Sequence, residues 1–394
     1  MIHSLFLAWK YVSYNKLRTA TLIACITLIS FLPVSLNLLL DESERQLMSR
    51  AASTPLVVGA KGSALDLVMS TLYFGDEVPE MITMVATEQL TDSDLATPIP
   101  MYVRFKARGI PIVGTTLDYF DFRGLKIAHG QQLAMLGECV VGATAAKNLG
   151  LSPGDHLVSS PENLFDLAGV YPLKMKVAGV LEVSHTSDDL AIFVDVKTSW
   201  VIQGLMHGHQ DITKTNDQSV ILKKTEGNIT ANAKLFQYME VTKNNMDSFH
   251  FHGDPAGYPL TAVIAVPYDE KSGTILRGRY LSESEEKHQI VKPQDVIDSL
   301  LQNIFRIKNV LDGVILVVGC ATMLAIVLVF ALSLRLREKE LLTIFKLGCS
   351  RMTIARLLGA EIFIIVAASG LFCIALVSVI NLYSNDLVRI MFIK

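Results

Sequence analysis

Two histidine pairs are the residues best suited to hold a metal: His207/His209 in MHGHQD and His250/His252 in FHFHGD. On an extended backbone, residues i and i+2 share a face, so each pair can offer two imidazoles to one ion. A structural zinc site needs four converging ligands, and Asp211, Asp254 or His185 would have to complete it. The alternative is that these histidines are polar residues of an irregular insertion from about His207 to Gly257. A lone acid, Glu361, lies inside the otherwise uncharged run Leu357 to Leu382. An acid within a membrane can relay protons. About one turn from the end of the run, however, Glu361 is within pairing reach of Arg356, and a structural or interfacial role is the expectation. No Ser/His/Asp or paired-carboxylate constellation can be argued from spacing. The chain also has no GxxxxGK[ST] loop to cradle nucleotide phosphates. It is therefore expected to be no enzyme and to bind no ATP of its own.

These residues must be carried by membrane-crossing elements. The apolar fraction is 51%, yet 19% of residues are charged, a mixture that fits membrane helices joined to a water-facing part. Residues 20–40, 313–334 and 357–382 are each long enough to cross about 30 Å of hydrocarbon. Only Glu361 carries charge among them. Pro33 is tolerable in a membrane helix. The first run is too long for a signal peptide, and no small-residue cleavage pattern follows it. Lys10, Lys16 and Arg18 precede this run with no acid beside them. Arg335, Arg337, Lys339, Lys346, Arg351 and Arg356 crowd the connection between the second and third runs. Positive segments stay cytoplasmic, so residues 1–19 and 335–356 are expected inside. Residues 41–309 and the tail 383–394 then lie outside. A net charge of −3, without a basic stripe, gives no case for nucleic acid. Cys139 is the only cysteine of the external part, so a core and not a disulfide must hold that domain.

The predicted fold class is thus a membrane protein with three helical spans and a large mixed α/β extracytoplasmic domain on helical stalks. Residues 4–18 form an amphipathic lead-in on the inner leaflet, or simply an aromatic and basic anchor. DESERQLMSR after Leu40 keeps strong helix formers, so the first helix is expected to continue past the bilayer. Residues 64–74 read as helix. Tyr102–Ala107 and Ile110–Gly114 read as strands around Gly109, and the chain from Val140 passes from strand to a short helix stopped by Gly150. Lys174–Glu182, Ala191–Asp195 and Leu260–Val266 read as further strands, the last closed by Pro267. Pro293 opens a helix expected to run on through the second span.

The connection RLREKELLTIFKLGCSRMTIARLLGAE, together with one helix, a large external segment and further helices, resembles the MacB/FtsX-type permeases of ATP-binding-cassette (ABC) systems. The matching positions are Arg337, Glu340, Lys346, Gly348, Arg351 and Glu361. GIPIVGTTLDYFDFRGLKIAHGQQL, ECVVGATAAKNLGLSPGD and KMKVAGVLEVSHTSDDLAIFVDV are similar to that family's external domain, with a MacB-like periplasmic core. The resemblance implies a homodimer in a bacterial inner membrane, with an ABC ATPase subunit that holds ATP and magnesium. It also implies transmission of nucleotide-driven motion to the external domains, for export or extraction of a substrate, and leaves room for an extracytoplasmic adaptor or substrate-binding protein. The alternative within this layout is a signalling or scaffold subunit that activates an external partner such as a wall hydrolase. The family has four spans where this sequence shows three. In residues 335–356, Leu341, Ile344 and Phe345 supply apolar side chains on a helix, with Arg337, Lys346 and Arg351 as a charged rim. That face suits either an ATPase groove or the inner leaflet.

Overall fold

The computed structural model describes residues 2–160, 172–208, 221–225, 228–231, 239–246, 249–251, 253–282, 287–346 and 350–392. The chain forms two compact units, one of residues up to Arg45 together with Leu300–Ile390, the other built on Gln46–Ser299.

The second unit is organised by an eleven-stranded mixed sheet. From one edge its main path runs Met239–Glu240, Leu173–Leu181, Glu138–Val141, Ile192–Asp195, Ile110–Thr115, Ala96–Ala107, Ala262–Pro267, Leu56–Ala60 and His288–Val291. Ile127–Gly130 and His156–Val158 also pair with Leu173–Leu181. The two strands expected around Gly109 are present and pair as a hairpin: Ala107 faces Ile110 across a two-residue turn. Arg108 and Gly109 have φ of 50° and 82°, as a type I′ turn requires at both central positions. Gly150, at φ 64°, ends helix Ala143–Leu149 as expected. The apolar run at 260–266 differs from expectation. It divides at Thr261, whose hydroxyl donates to the Met101 carbonyl and accepts from the Val103 amide, both at 3.0 Å. Pro259–Leu260 pairs with Ile82–Thr83, while Pro267, opposite Ala96, is the last residue of strand Ala262–Pro267 and closes it as expected. Pro at the last rung costs little because its missing N–H falls at the end of the ladder.

Phe193 anchors the core between rings of Tyr119, Phe120 and Phe74, at centroid distances of 5.6, 5.4 and 6.2 Å. Cys139 is fully buried as a free thiol, and burial pushes its pKa up to about 12, so it behaves as an apolar residue. The last turn of the first long helix enters this unit through a buried charge. Arg50 Nη1 and Nη2 meet Asp188 Oδ2 and Oδ1 at 2.7 and 2.9 Å, with side-chain exposures of 5% and 1%. Arg50 Nε donates to the Leu72 carbonyl, and the Tyr119 hydroxyl donates to Asp188 Oδ1 at 2.8 Å. Burial alone would raise the Asp188 pKa, but the Arg50 charge and these hydrogen bonds outweigh it and hold the carboxyl low. Burial pushes the Tyr119 phenol up to about 12, so it stays a donor.

In the first unit, helix Ile2–Tyr14 is followed by a bend at Asn15 and helix Lys16–Ala52, which holds Pro33 without a break. Pro293–Leu336 is one helix of 44 residues, as the sequence suggested. Arg351–Phe392 extends the third span at both ends, and the expected tail is helical as far as Phe392. Among the described residues, three helices are long and apolar enough to cross a membrane. Leu324 and Leu371 are 76% and 69% exposed, a cost in water that lipid removes. Val12, Leu22 and Ile365 form a small core between the lead-in, first and third helices.

Candidate coupling site between the second and third long helices

A single residue, Arg337, separates helix Pro293–Leu336 from the short helix Glu338–Lys346. Its Nη1 donates to both oxygens of Glu361, at 3.0 and 3.3 Å. Glu361 is 3% exposed and the Arg337 side chain 12%. The guanidinium also lies 3.5 Å from the ring centre of Tyr11 on the lead-in helix. Arg18 reaches the same tyrosine, its Nη1 donating to the hydroxyl at 3.4 Å. Lead-in helix, short helix and third long helix thus meet at one charge pair. Arg356, the partner expected from sequence, is exposed. The reason is helical geometry: residues five apart diverge around the axis, whereas only i+3 and i+4 face one another. Sequence proximity favoured Arg356, and packing between helices brings Arg337 instead. Glu361 is therefore neutralised where it sits, which supports its structural reading.

Beyond the pair, the short helix borders an open groove of ≈ 570 Å³. Leu334, Leu342, Phe345 and Ile354 give it apolar walls, with Arg335, Glu338 and Arg351 at its margin. Glu338, Leu342 and Phe345 follow the i, i+4, i+7 spacing of one helical face. Leu342 and Phe345 are 49% and 44% exposed, and the Arg351 guanidinium lies 6.0 Å from the Phe345 ring centre. Lys346 is exposed. The backbone of Glu340, Leu341 and Ile344 is helical, their side chains fall outside the described residues, and so does all of Gly348. The apolar row at this groove is accordingly Leu342 and Phe345. The sequence reading had Phe345 but passed over Leu342, although the spacing from Glu338 carried the signal.

For the histidines, strands Met206–Gly208 and Phe249–Phe251 form a two-stranded ladder in which His207 is the register partner of His250. His209 and His252 lie outside the described residues. Among the described residues no group of three or more His, Cys, Asp or Glu is placed to hold a metal.

By architecture the chain is a membrane protein with three long apolar helices and a mixed α/β domain. No protein-family model matches the sequence, and no curated protein matches it. Among solved structures it is similar to the periplasmic region of MacB from Actinobacillus actinomycetemcomitans. That match has a TM-score of 0.34 and 13% identity, over 65% of this chain and 98% of that one. It is also similar to the extracellular domain of the noncanonic ABC-type transporter YknZ from Gram-positive bacteria, with a TM-score of 0.32 and 12% identity, over 60% and 98%. A domain of a permease protein from Porphyromonas gingivalis gives a TM-score of 0.26 and 10% identity, over 58% and 78%.

Proposed function

We propose that the chain is the permease-like membrane subunit of an ABC machine, passing motion from a separate cytoplasmic ATPase to its own extracytoplasmic domain. The observation that carries the reading is the short helix Glu338–Lys346, rooted at the Arg337–Glu361 pair and bordering an apolar groove with a charged margin. A partner element that fills the groove against Leu342 and Phe345 can move the short helix. The charge pair then transmits that movement to the third long helix and, through Tyr11, to the lead-in helix. Helices Lys16–Ala52 and Pro293–Leu336, each unbroken past the predicted bilayer segment, carry it onward. In this reading the chain works as a homodimer for export or extraction. ATP and magnesium stay on the partner, and the short helix is cytoplasmic.

The test is Phe345→Asp in the full chain, purified in mild detergent with whatever accompanies it. The wild type is expected to retain a protein that bears a GxxxxGK[ST] loop and hydrolyses ATP. In the variant that protein should be lost while the chain still inserts, because seating a carboxylate in an apolar groove is severely unfavourable. An ATPase retained by the variant, or absent from the wild type, would overturn the assignment.

A further inference from the structure

The unit built on Gln46–Ser299 holds a second, polar cavity of ≈ 380 Å³, whose walls include Ser53, Arg123, Lys126, Ser184 and Thr186 around the Arg50–Asp188 pair. The Asp188 carboxylate is already saturated. Besides Arg50 it accepts from the Tyr119 hydroxyl at 2.8 Å and from the Thr186 hydroxyl at 2.9 Å. Arg123 feels the attraction of Asp188 but hydrogen-bonds neutral hydroxyls. Its Nη1 donates to Ser53 Oγ at 3.1 Å and its Nη2 to Thr54 Oγ1 at 2.8 Å. Among the described residues its Nε is buried with no hydrogen-bond partner, and its guanidinium lies 4.7 Å from the Phe122 ring centre. Burial, and then repulsion from Arg50, hold the Arg123 pKa below its ordinary value. A guanidinium does not discharge at neutral pH, so the charge persists, with the attraction of Asp188 outweighed by burial and by Arg50.

The lining keeps this sign. Among the described residues of the lining, Arg50, Arg123 and Lys126 face the carboxylates of Asp188 and Glu182. One wall is also fixed in advance. Asp189 accepts from the Ser184 amide and hydroxyl, both at 2.8 Å, and from the His185 amide at 2.9 Å. That cap holds His185 at a φ of 56°. A polar pocket with one fixed wall and a half-buried cation that hydrogen-bonds neutral hydroxyls suits a ligand that brings negative charge and hydrogen-bond acceptors.

We propose that this cavity binds an oxyanion group, phosphate or carboxylate, on Arg123 with Lys126 at its mouth. The proposal does not depend on the ATPase reading.

The test uses the full chain in phosphatidylcholine nanodiscs, titrated calorimetrically with inorganic phosphate, citrate and short-chain phosphatidylglycerol, against sodium chloride of equal ionic strength. Saturable binding of at least one probe is expected. The response to the two free anions against the phospholipid tells a soluble source from a lipid headgroup. Arg123→Gln should weaken binding at least tenfold. Lys126→Gln should weaken it several-fold with an unchanged melting temperature, since Lys126 is exposed and the fold does not need it. Lys147→Gln, an exposed cation on another helix, should leave affinity as it was. No saturable binding to the wild type, a response that chloride reproduces, or full affinity in Lys126→Gln would each overturn the proposal.

Discussion

Arg50→Met isolates the buried charge at the end of the first long helix. The change removes one partner of a pair whose side chains are 5% and 1% exposed, and it leaves the Asp188 carboxylate buried with only hydroxyl donors. Breaking such a pair from one side costs about 3–5 kcal/mol, because the remaining charge is left uncompensated. Replacing both partners by apolar residues of similar volume is far milder. Arg50→Met/Asp188→Leu is therefore expected to be more stable than Arg50→Met alone. Trp200 is the natural reporter: it is buried against Tyr258 at a centroid distance of 5.0 Å and donates to the Pro259 carbonyl at 2.9 Å. In a Trp9→Phe background its fluorescence follows urea unfolding of this unit alone. The acid side gives a second reading. The carboxyl of Asp188 is held below its ordinary pKa, so its contribution is present above about pH 4, its unfolded value, and is lost as pH falls through the lower folded value. Wild-type stability should fall in that acid window, and the fall should be shallower in Arg50→Met/Asp188→Leu. A loss below about 1 kcal/mol in Arg50→Met, or a double variant as costly as the two single changes together, would refute the reasoning.

Three further outcomes are expected. Glu361→Leu strands the Arg337 guanidinium and should cost about 3 kcal/mol or more in detergent unfolding monitored at Trp9, whereas exposed Arg356→Leu should stay within about 0.5 kcal/mol. Gly142→Ala would press a methyl against the Asp188 carbonyl oxygen and within 2.6 Å of the Asp189 carbonyl carbon, both backbone. It should destabilise the domain by about 1–3 kcal/mol or more, measured by the same urea titration at Trp200. In a cysteine-free background, an impermeant thiol reagent on intact cells should modify a cysteine placed at Ser284 and spare one at Ser350; the reverse pattern would invert the orientation read from the basic residues.

Features with a local cause could be read from the sequence. The spans announce themselves by the absence of charge, the turn at Arg108-Gly109 by alternation broken at a glycine, and the stop at Gly150 by the only residue type that is comfortable there. Helix Val196–Ile202 was not legible. Val, Thr, Trp and Ile read as strand, and it is helical because Asp195 caps the Lys197 amide at 2.9 Å and packing buries most of the segment. Leu117–Arg123 is only seven residues long and shows too few turns for a period. The candidate sites were legible in part for a similar reason. Phe345 lies in the charged connection and Glu361 is the lone acid of an apolar run, so both attract notice, but Glu361 pairs across 24 positions and Arg50 with Asp188 across 138. Such partners are set by the closed fold and leave no mark in spacing.

The pairing of Leu56–Ala60 with His288–Val291 has a mechanical consequence. These strands are antiparallel, with Val57 opposite Val291 and Ala60 opposite His288. The first long helix ends at Ala52, just before one strand, and the second begins at Pro293, just after the other. Both helices are therefore tethered to the same end of the same ladder. A pull that separates them would peel the ladder one rung at a time from Val57 and Val291, each rung yielding before the next is loaded. A pull that draws them together in one direction would instead load the rungs between Leu56–Ala60 and Ala262–Pro267 side by side, in shear. Forces of equal size would thus meet a soft joint or a stiff one, according to whether the two helices move apart or in step.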